Sequence, residues 1–279
     1  MARILITGAG GLLTPYLVEA ASKYGEVLTS SRNNGDFHCD LSNPHEVKAL
    51  LNFSHPDWVI HSAGYTDVDE CQKYPTKAEK SNFHSAINLA NSLNSEASLV
   101  VISTDQVYPD TKGLHKEENT GPVNIYGSTK LLGERSLLKH NRTVVLRTNM
   151  FGKSKTKNRS SIDDFMIGKM KGQSELVLFS DLLFSPLHMS TIADLILLIL
   201  SKSIFGVYNL GSRNGVSKAD FGFMLANYFE LSTAHVSVGK SSDFLIRAPR
   251  AKDLRLDVNR IEKALGISMP TLQKEIYKL

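Results

Sequence analysis

The run Ile4-Leu5-Ile6-Thr7-Gly8-Ala9-Gly10-Gly11-Leu12-Leu13-Thr14-Pro15 passes from a β-branched strand candidate through a glycine cluster into a helical pattern. A strand that turns sharply into a helix aims free backbone N–H groups and the positive helix end at one point, which suits a pyrophosphate. Gly8, Gly10 and Gly11 let an anion approach the backbone. Read as GxxGxxG, the turn keeps Gly8 and Gly11 but puts Thr14 where close helix-to-strand packing usually admits no side chain. Pro15 is tolerated in the first helical turn, where its missing N–H has no intrahelical partner.

Outward from this turn, short β-branched runs at 4–7, 27–30, 58–61, 99–103 and 144–147 read as strands. Between them, 12–23, 44–52, 75–94 and 124–140 carry apolar residues at helical spacing. Such alternation predicts an α/β fold: a doubly wound parallel sheet, Rossmann-like, with helices on both faces. After Gly152 the rhythm breaks into short strands at 176–179 and 207–210 and helices at 161–171, 190–201, 218–229 and 259–265. The expected division is a dinucleotide-binding domain over 1–152 and a smaller C-terminal α/β substrate-binding domain over 153–279, from which later segments can return to the first.

Composition removes several classes. The 279 residues are 42% hydrophobic and 22% charged with dispersed Gly and Pro, which excludes disordered, collagen-like and coiled-coil chains. No apolar run approaches the ~20 residues of a membrane helix, and the N-terminal apolar stretch is too short for a signal peptide, so the expected address is the cytoplasm. A net charge of +4 is too weak to imply nucleic-acid binding. Cys39 and Cys71, without CxxC or clustered His, suggest neither a disulfide framework nor a metal site. The local basic excess Lys153, Lys155, Lys157 and Arg159 is either a solvated loop or one that helps hold an anionic ligand.

The second strand ends in Ser30-Ser31-Arg32, where a cofactor with a free ribose 2′-OH would call for Asp or Glu. Arg32 can neutralise a 2′-phosphate and Ser31 can hydrogen-bond it, which favours NADPH, with NADH as the alternative. Asp40 can accept from an adenine amino group or cap the helix that starts at Pro44.

A Tyr followed four residues later by Lys occurs twice. Tyr108-Pro109-Asp110-Thr111-Lys112 contains a turn signal that breaks the helix needed to align the two side chains. Tyr126-Gly127-Ser128-Thr129-Lys130 opens a long helical pattern, so phenol and ammonium share one face. A neighbouring cation, with the cofactor's charge, is expected to lower the phenol from about 10 toward a useful proton donor. Lys130 can also hold the nicotinamide ribose. Thr104, at the end of the strand Val100-Val101-Ile102-Ser103-Thr104-Asp105, can donate to a substrate carbonyl; alone, such a pair of hydroxyls more often serves as a helix cap or turn former, but it stands about twenty residues before the helical Tyr-Lys pair.

These residues resemble the extended short-chain dehydrogenases/reductases, most closely the dTDP-4-dehydrorhamnose reductases. The similarity rests on 7–13, 61–69, 103–108 and 124–134, and on Arg147-Thr148, Phe184-Ser185-Pro186, 206–210 and Arg247-Ala248-Pro249-Arg250. It implies a catalytic set of Thr104, Tyr126 and Lys130. It implies a cofactor lining that includes Gly11, Leu12, Leu13, Arg32, Asp40, Leu41, Ala63, Gly64, Tyr65, Asn82 and Ser103, and a substrate side of Val68, Asp105, Gln106 and Met150. The implied reaction is hydride transfer from NADPH to C4 of a nucleotide-bound 4-keto-6-deoxy sugar, without a metal. The implied partner is a nucleotide sugar, with a homodimer as the candidate assembly. Gln106 stands where the family usually has Tyr, and Met150 where it usually has Trp, so the pocket's shape and polarity point toward a different sugar, stereochemistry or nucleotide. The rival functions are a nucleotide-sugar epimerase or dehydratase, and a non-catalytic NADP-binding regulatory subunit. Gln106 cannot ionise, which counts against dehydration.

Overall fold

A computed structural model describes residues 2–244 and 248–279; Arg247 of the C-terminal landmark lies outside them. The first part runs β1 (Ala2–Thr7), α1 (Thr14–Ala21), β2 (Gly25–Ser31), β3 (Phe37–His38), α2 (Pro44–Ser54), β4 (Trp58–His61), α3 (Val68–Lys73), α4 (Pro75–Glu79), α5 (Ser85–Ser92), β5 (Ser98–Thr104), α6 (Ile125–Leu137) and β6 (Thr143–Thr148). It continues as β7 (Met150–Phe151), α7 (Ile162–Lys171), β8 (Leu176–Phe179), β9 (Leu183–Phe184), β10 (Leu187–His188), α8 (Met189–Ser201), β11 (Gly206–Leu210), β12 (Val216–Ser217) and α9 (Lys218–Tyr228). It ends with β13 (Val236–Gly239), β14 (Asp253–Leu254), α10 (Asn259–Leu265) and α11 (Leu272–Ile276).

Seven parallel strands form the main sheet in the order β11-β6-β5-β4-β1-β2-β3. Successive strand residues face opposite ways, which divides the apolar side chains between two cores. Ile4, Ile6, Val100 and Ile102 pack with Leu17 of α1 and Ile196 of α8. Leu5, Val59, Leu99 and Val101 pack on the other face with Val47 of α2 and Leu89 of α5. The strand order reverses between β1 and β4, and in such sheets the ligand crevice opens outside the strand C-termini at that point.

Three small sheets of two or three short strands, β10-β7, β12-β9-β14 and β13-β8, make the C-terminal lobe. Phe151, Met166, Leu178, Phe184, Phe221 and Leu225 form its core. Between them the chain returns to the large sheet, where α8 packs against α1 and β11 pairs with β6.

Local departures have local causes. The first helix begins at Thr14 rather than Leu12 because Gly11 N–H folds back onto the Gly8 carbonyl at 2.8 Å and keeps that stretch in the turn. The helix expected over 75–94 is interrupted by a π turn at Lys80–His84. Asn43, not Asp40, caps α2 by accepting from His45 N–H at 3.0 Å. Tyr108 is a core residue: its ring stacks on His115 at 4.9 Å, its hydroxyl bonds Asn209, and Lys112 is exposed.

One buried polar cluster joins helix to sheet. The Arg147 guanidinium on β6 donates to Glu134 on α6 through Nη2 at 2.7 Å and Nε at 3.1 Å, with side-chain exposures of 4% and 1%. Ser103 also donates to Glu134, while Arg147 Nη1 reaches the Glu117 carbonyl at 2.6 Å. Removing one partner strands the other charge in a dry interior. Arg147→Met is expected to lose about 3–5 kcal/mol in urea denaturation; a loss under about 1 kcal/mol, as for an exposed pair, would contradict this role.

Candidate active site

The crevice at the strand C-termini has a volume of about 650 Å³ and runs from the glycine turn to the C-terminal lobe. Gly8 is required at its base: its φ is +88°, and a Cβ there would sit 2.9 Å from the Ala63 nitrogen. Thr14 occupies the third glycine position without blocking the packing, because its hydroxyl turns back to donate to the Gly8 carbonyl at 2.7 Å. Gly10, Gly11, Leu12 and Leu13 line the crevice beside it. The basic segment crosses the same turn: Thr156 Oγ1 donates to the Gly11 carbonyl at 3.0 Å, Lys155 pairs with Glu19 at 2.7 Å, and Arg159 lines the crevice.

At the end of β2, Ser31 and Arg32 line the wall, with Ser31 Oγ donating to the Asn34 carbonyl at 2.8 Å. The neighbouring Ser30 Oγ is buried there without a hydrogen-bond partner. Asp40 and Leu41 complete this end. The Asp40 carboxylate accepts from the Ser42 hydroxyl at 2.7 Å, and that bond holds its pKa below the ordinary range.

Ala63 and Gly64 line the crevice, whereas Tyr65 and Asn82 stand outside its lining. The Tyr65 ring packs against the cluster of Cys71, Ala78 and Tyr126, its hydroxyl 3.1 Å from Glu70 and its face under the Lys77 ammonium at 4.4 Å. Asn82 is buried behind the loop, where its amide spans Tyr65 N–H at 2.8 Å and the Tyr65 carbonyl at 3.0 Å. It shapes the wall rather than forming it.

Ser103, Thr104, Tyr126 and Lys130 meet at the middle of the crevice. Asn124 caps α6 by accepting from Gly127 N–H at 2.8 Å, and its amide donates to Gln106 Oε1 at 3.1 Å. Gly127 permits that approach, since a Cβ there would lie 2.1 Å from the Gln106 carbonyl oxygen. Tyr126 and Lys130 then follow one turn apart on the inward flank. Lys130 Nζ donates to the Ile102 carbonyl at 2.8 Å, and burial pulls its pKa down to about 8. The Tyr126 phenol goes the other way from expectation: burial raises its pKa, with only a hydrogen bond from Thr104 opposing. Desolvation outweighs any help from the neighbouring cation, so the phenol holds its proton at neutral pH.

Val68, Asp105, Gln106 and Met150 line the far end. Asp105 is buried and accepts from Asn149 Nδ2 at 2.7 Å, while burial raises its pKa. Arg250, of the C-terminal landmark, also lines this end, as do Asn149 and Lys218, for which the sequence carries no signal. A lone Lys at a helix start reads as solvated, and Asn149 carries no spacing signal. Among the described residues, no group of three or more His, Cys, Asp or Glu could hold a metal ion, and no helix is long and apolar enough to cross a membrane.

A parallel sheet wound about a glycine turn, with a Tyr-Lys pair on a helix over the crevice, defines an extended short-chain dehydrogenase/reductase. A family profile described as RmlD substrate binding domain matches residues 2–279, and the chain belongs to that family. It is 27% identical to a probable low-salt glycan biosynthesis reductase, Agl14, of Haloferax volcanii, covering 98% of this chain and 96% of the relative. It is 28% identical to a dTDP-4-dehydrorhamnose reductase of Aggregatibacter actinomycetemcomitans, covering 100% of this chain and 98% of that one. The crystal structure of a dTDP-4-dehydrorhamnose reductase from Bacillus anthracis in complex with NADP superposes with a TM-score of 0.88 at 26% identity, covering 99% of this chain and 98% of that one.

The Lys130 shift has a measurable consequence. Its folded pKa of about 8 lies below the ordinary 10.5, so between these values the unfolded chain binds more protons and stability rises with pH. The stability of the wild type minus that of Lys130→Met is expected to rise by about 3 kcal/mol across that interval in urea titrations. A difference that stays flat with pH would contradict the assignment.

Proposed function

We propose that this chain reduces the C4 keto group of a nucleotide-activated 4-keto-6-deoxy sugar, with NADPH as the reductant. The observation that carries the reading is that Thr104, Tyr126 and Lys130 line one crevice with the glycine turn.

The residues present fit a phosphorylated dinucleotide. A Cβ at Gly8 would fill the cradle, Ser30 Oγ is a buried hydroxyl without a partner, and Ser31 and Arg32 supply a hydroxyl and a cation where no carboxylate stands. The turn from Gly8 to Leu13 would hold the pyrophosphate, and Arg32 with Ser31 the 2′-phosphate. Asp40 and Leu41 would flank the adenine, and Lys130 the nicotinamide ribose. When bound, the reduced nicotinamide supplies a hydride to the substrate carbonyl carbon.

Thr104 donates a hydrogen bond to the carbonyl oxygen and orients it. Tyr126, protonated at neutral pH, gives its proton to that oxygen as negative charge develops, and the alcohol forms. Lys130 faces the phenolate left behind and stabilises it until a proton returns from solvent. Gln106 and Met150 read the sugar. Neither Gln106 nor Met150 presents an ionisable group for eliminating water.

NADPH oxidation with a panel of 4-keto sugar nucleotides tests the proposal. Turnover is expected with at least one substrate, and Tyr126→Phe should lower kcat by about 10²–10⁴-fold while NADPH still binds. Firm NADPH binding with no turnover of any substrate would instead favour a non-catalytic NADP-binding subunit. Arg32→Ala should lower the NADPH over NADH preference in kcat/KM by at least about tenfold; an unchanged ratio would remove Arg32 from the cofactor site.

A further inference from the structure

The charges at the far end of the crevice are unevenly matched. Arg250 gives its two terminal nitrogens to Asp69 at 3.1 and 3.0 Å. Asp105 is held by Asn149, Thr104 and Gln106. The Lys218 ammonium lines the same surface and has neither a hydrogen bond nor an ion pair among the described residues. It feels the Asp105 charge, which favours its ammonium, and the Arg250 charge, which opposes it.

The local fold turns this side chain inward. Lys218 opens α9, whose first turn is fixed by a reciprocal pair between Ser217 and Asp220: Asp220 N–H donates to Ser217 Oγ at 3.0 Å, and Ser217 Oγ donates to the Asp220 carboxylate at 2.6 Å. A lysine at an exposed helix start normally extends into water. Here burial outweighs the Asp105 charge and depresses the Lys218 pKa, so a half-buried ammonium stands in the crevice without a hydrogen-bond partner of its own. It lines the same crevice as Thr104 and Tyr126. Asp105, whose charge it feels, lies 3.2 Å from the Thr104 hydroxyl, whereas the glycine turn lines the other end.

We infer that Lys218 is a substrate-reading residue that binds an anionic oxygen of the substrate beside the carbonyl addressed by Thr104 and Tyr126. The inference rests on the reading of the crevice as a nucleotide-sugar site. An anionic oxygen can come from the diphosphate folded back over the ring or from a carboxylate on the ring. Either would accept from the ammonium and supply the missing charge, with the N-terminal field of α9 adding to the attraction.

Calorimetric titration of the NADPH-loaded protein separates the two sources. The probes are dTDP, UDP, UDP-glucose and UDP-glucuronate, applied to the wild type, Lys218→Met and Lys218→Arg, with NADPH affinity as the control. If the diphosphate is the source, Lys218→Met weakens all four nucleotides by about tenfold or more. If a ring carboxylate is the source, only UDP-glucuronate is weakened to that degree. In both cases Lys218→Arg retains most of the affinity and NADPH binding is unchanged. Unaltered affinity for all four probes, or an equal loss of NADPH affinity, would overturn the inference. Because binding is read without turnover, failure to reduce any 4-keto sugar leaves this result separately decidable.

Discussion

The site depends on the rotational setting of α6. Tyr126, Lys130 and Glu134 are spaced by four residues, so they share one flank of the helix. Glu134 is tied to Arg147 and Ser103 inside the protein, and that bond turns the same flank toward β5 and β6. The other end is fixed by the Asn124 cap and by the close approach of Gly127 to Gln106. A helix advances about 100° per residue, so a slip of one position would carry phenol and ammonium away from the crevice together. Placement of the reactive pair is therefore a packing result before it is an electrostatic one.

Burial then decides the charge states. The same desolvation raises the Tyr126 phenol, lowers the Lys130 ammonium and raises the Asp105 carboxyl. Each shift favours the neutral form. An anionic group bound in such a crevice would restore to the lysines the charge that burial disfavours. Burial also keeps the Tyr126 phenol protonated at neutral pH.

Much of this was legible in the sequence because it rests on periodicity. The five strand runs and the long helices are visible since each spans enough residues for a repeat of two or of 3.6 to show. Two-residue strands such as β9 and β12 are too short to carry any period, and they exist only through pairing with distant segments. Within the site, Gly8, Tyr126 and Lys130 announce themselves by spacing within single elements and Thr104 by its distance before the Tyr-Lys pair, and the structure brings them together in one crevice. Tyr65 and Asn82 show the opposite limit: which way a loop ring turns, and whether an amide lines a wall or braces it from behind, depends on neighbours far along the chain. Lys218 is hidden for the same reason, since only the folded lobe brings it into one crevice with Asp105. Thr14 breaks a glycine pattern on paper, yet the fold absorbs it with one hydrogen bond to a backbone carbonyl.

A crystal structure grown with NADPH tests the placement of Tyr126 and Lys130 most directly. The pyrophosphate is expected on the turn from Gly8 to Leu13, the nicotinamide facing Tyr126, and Lys130 Nζ on a hydroxyl of the nicotinamide ribose. A dinucleotide bound with its nicotinamide away from Tyr126 and Lys130 would contradict it.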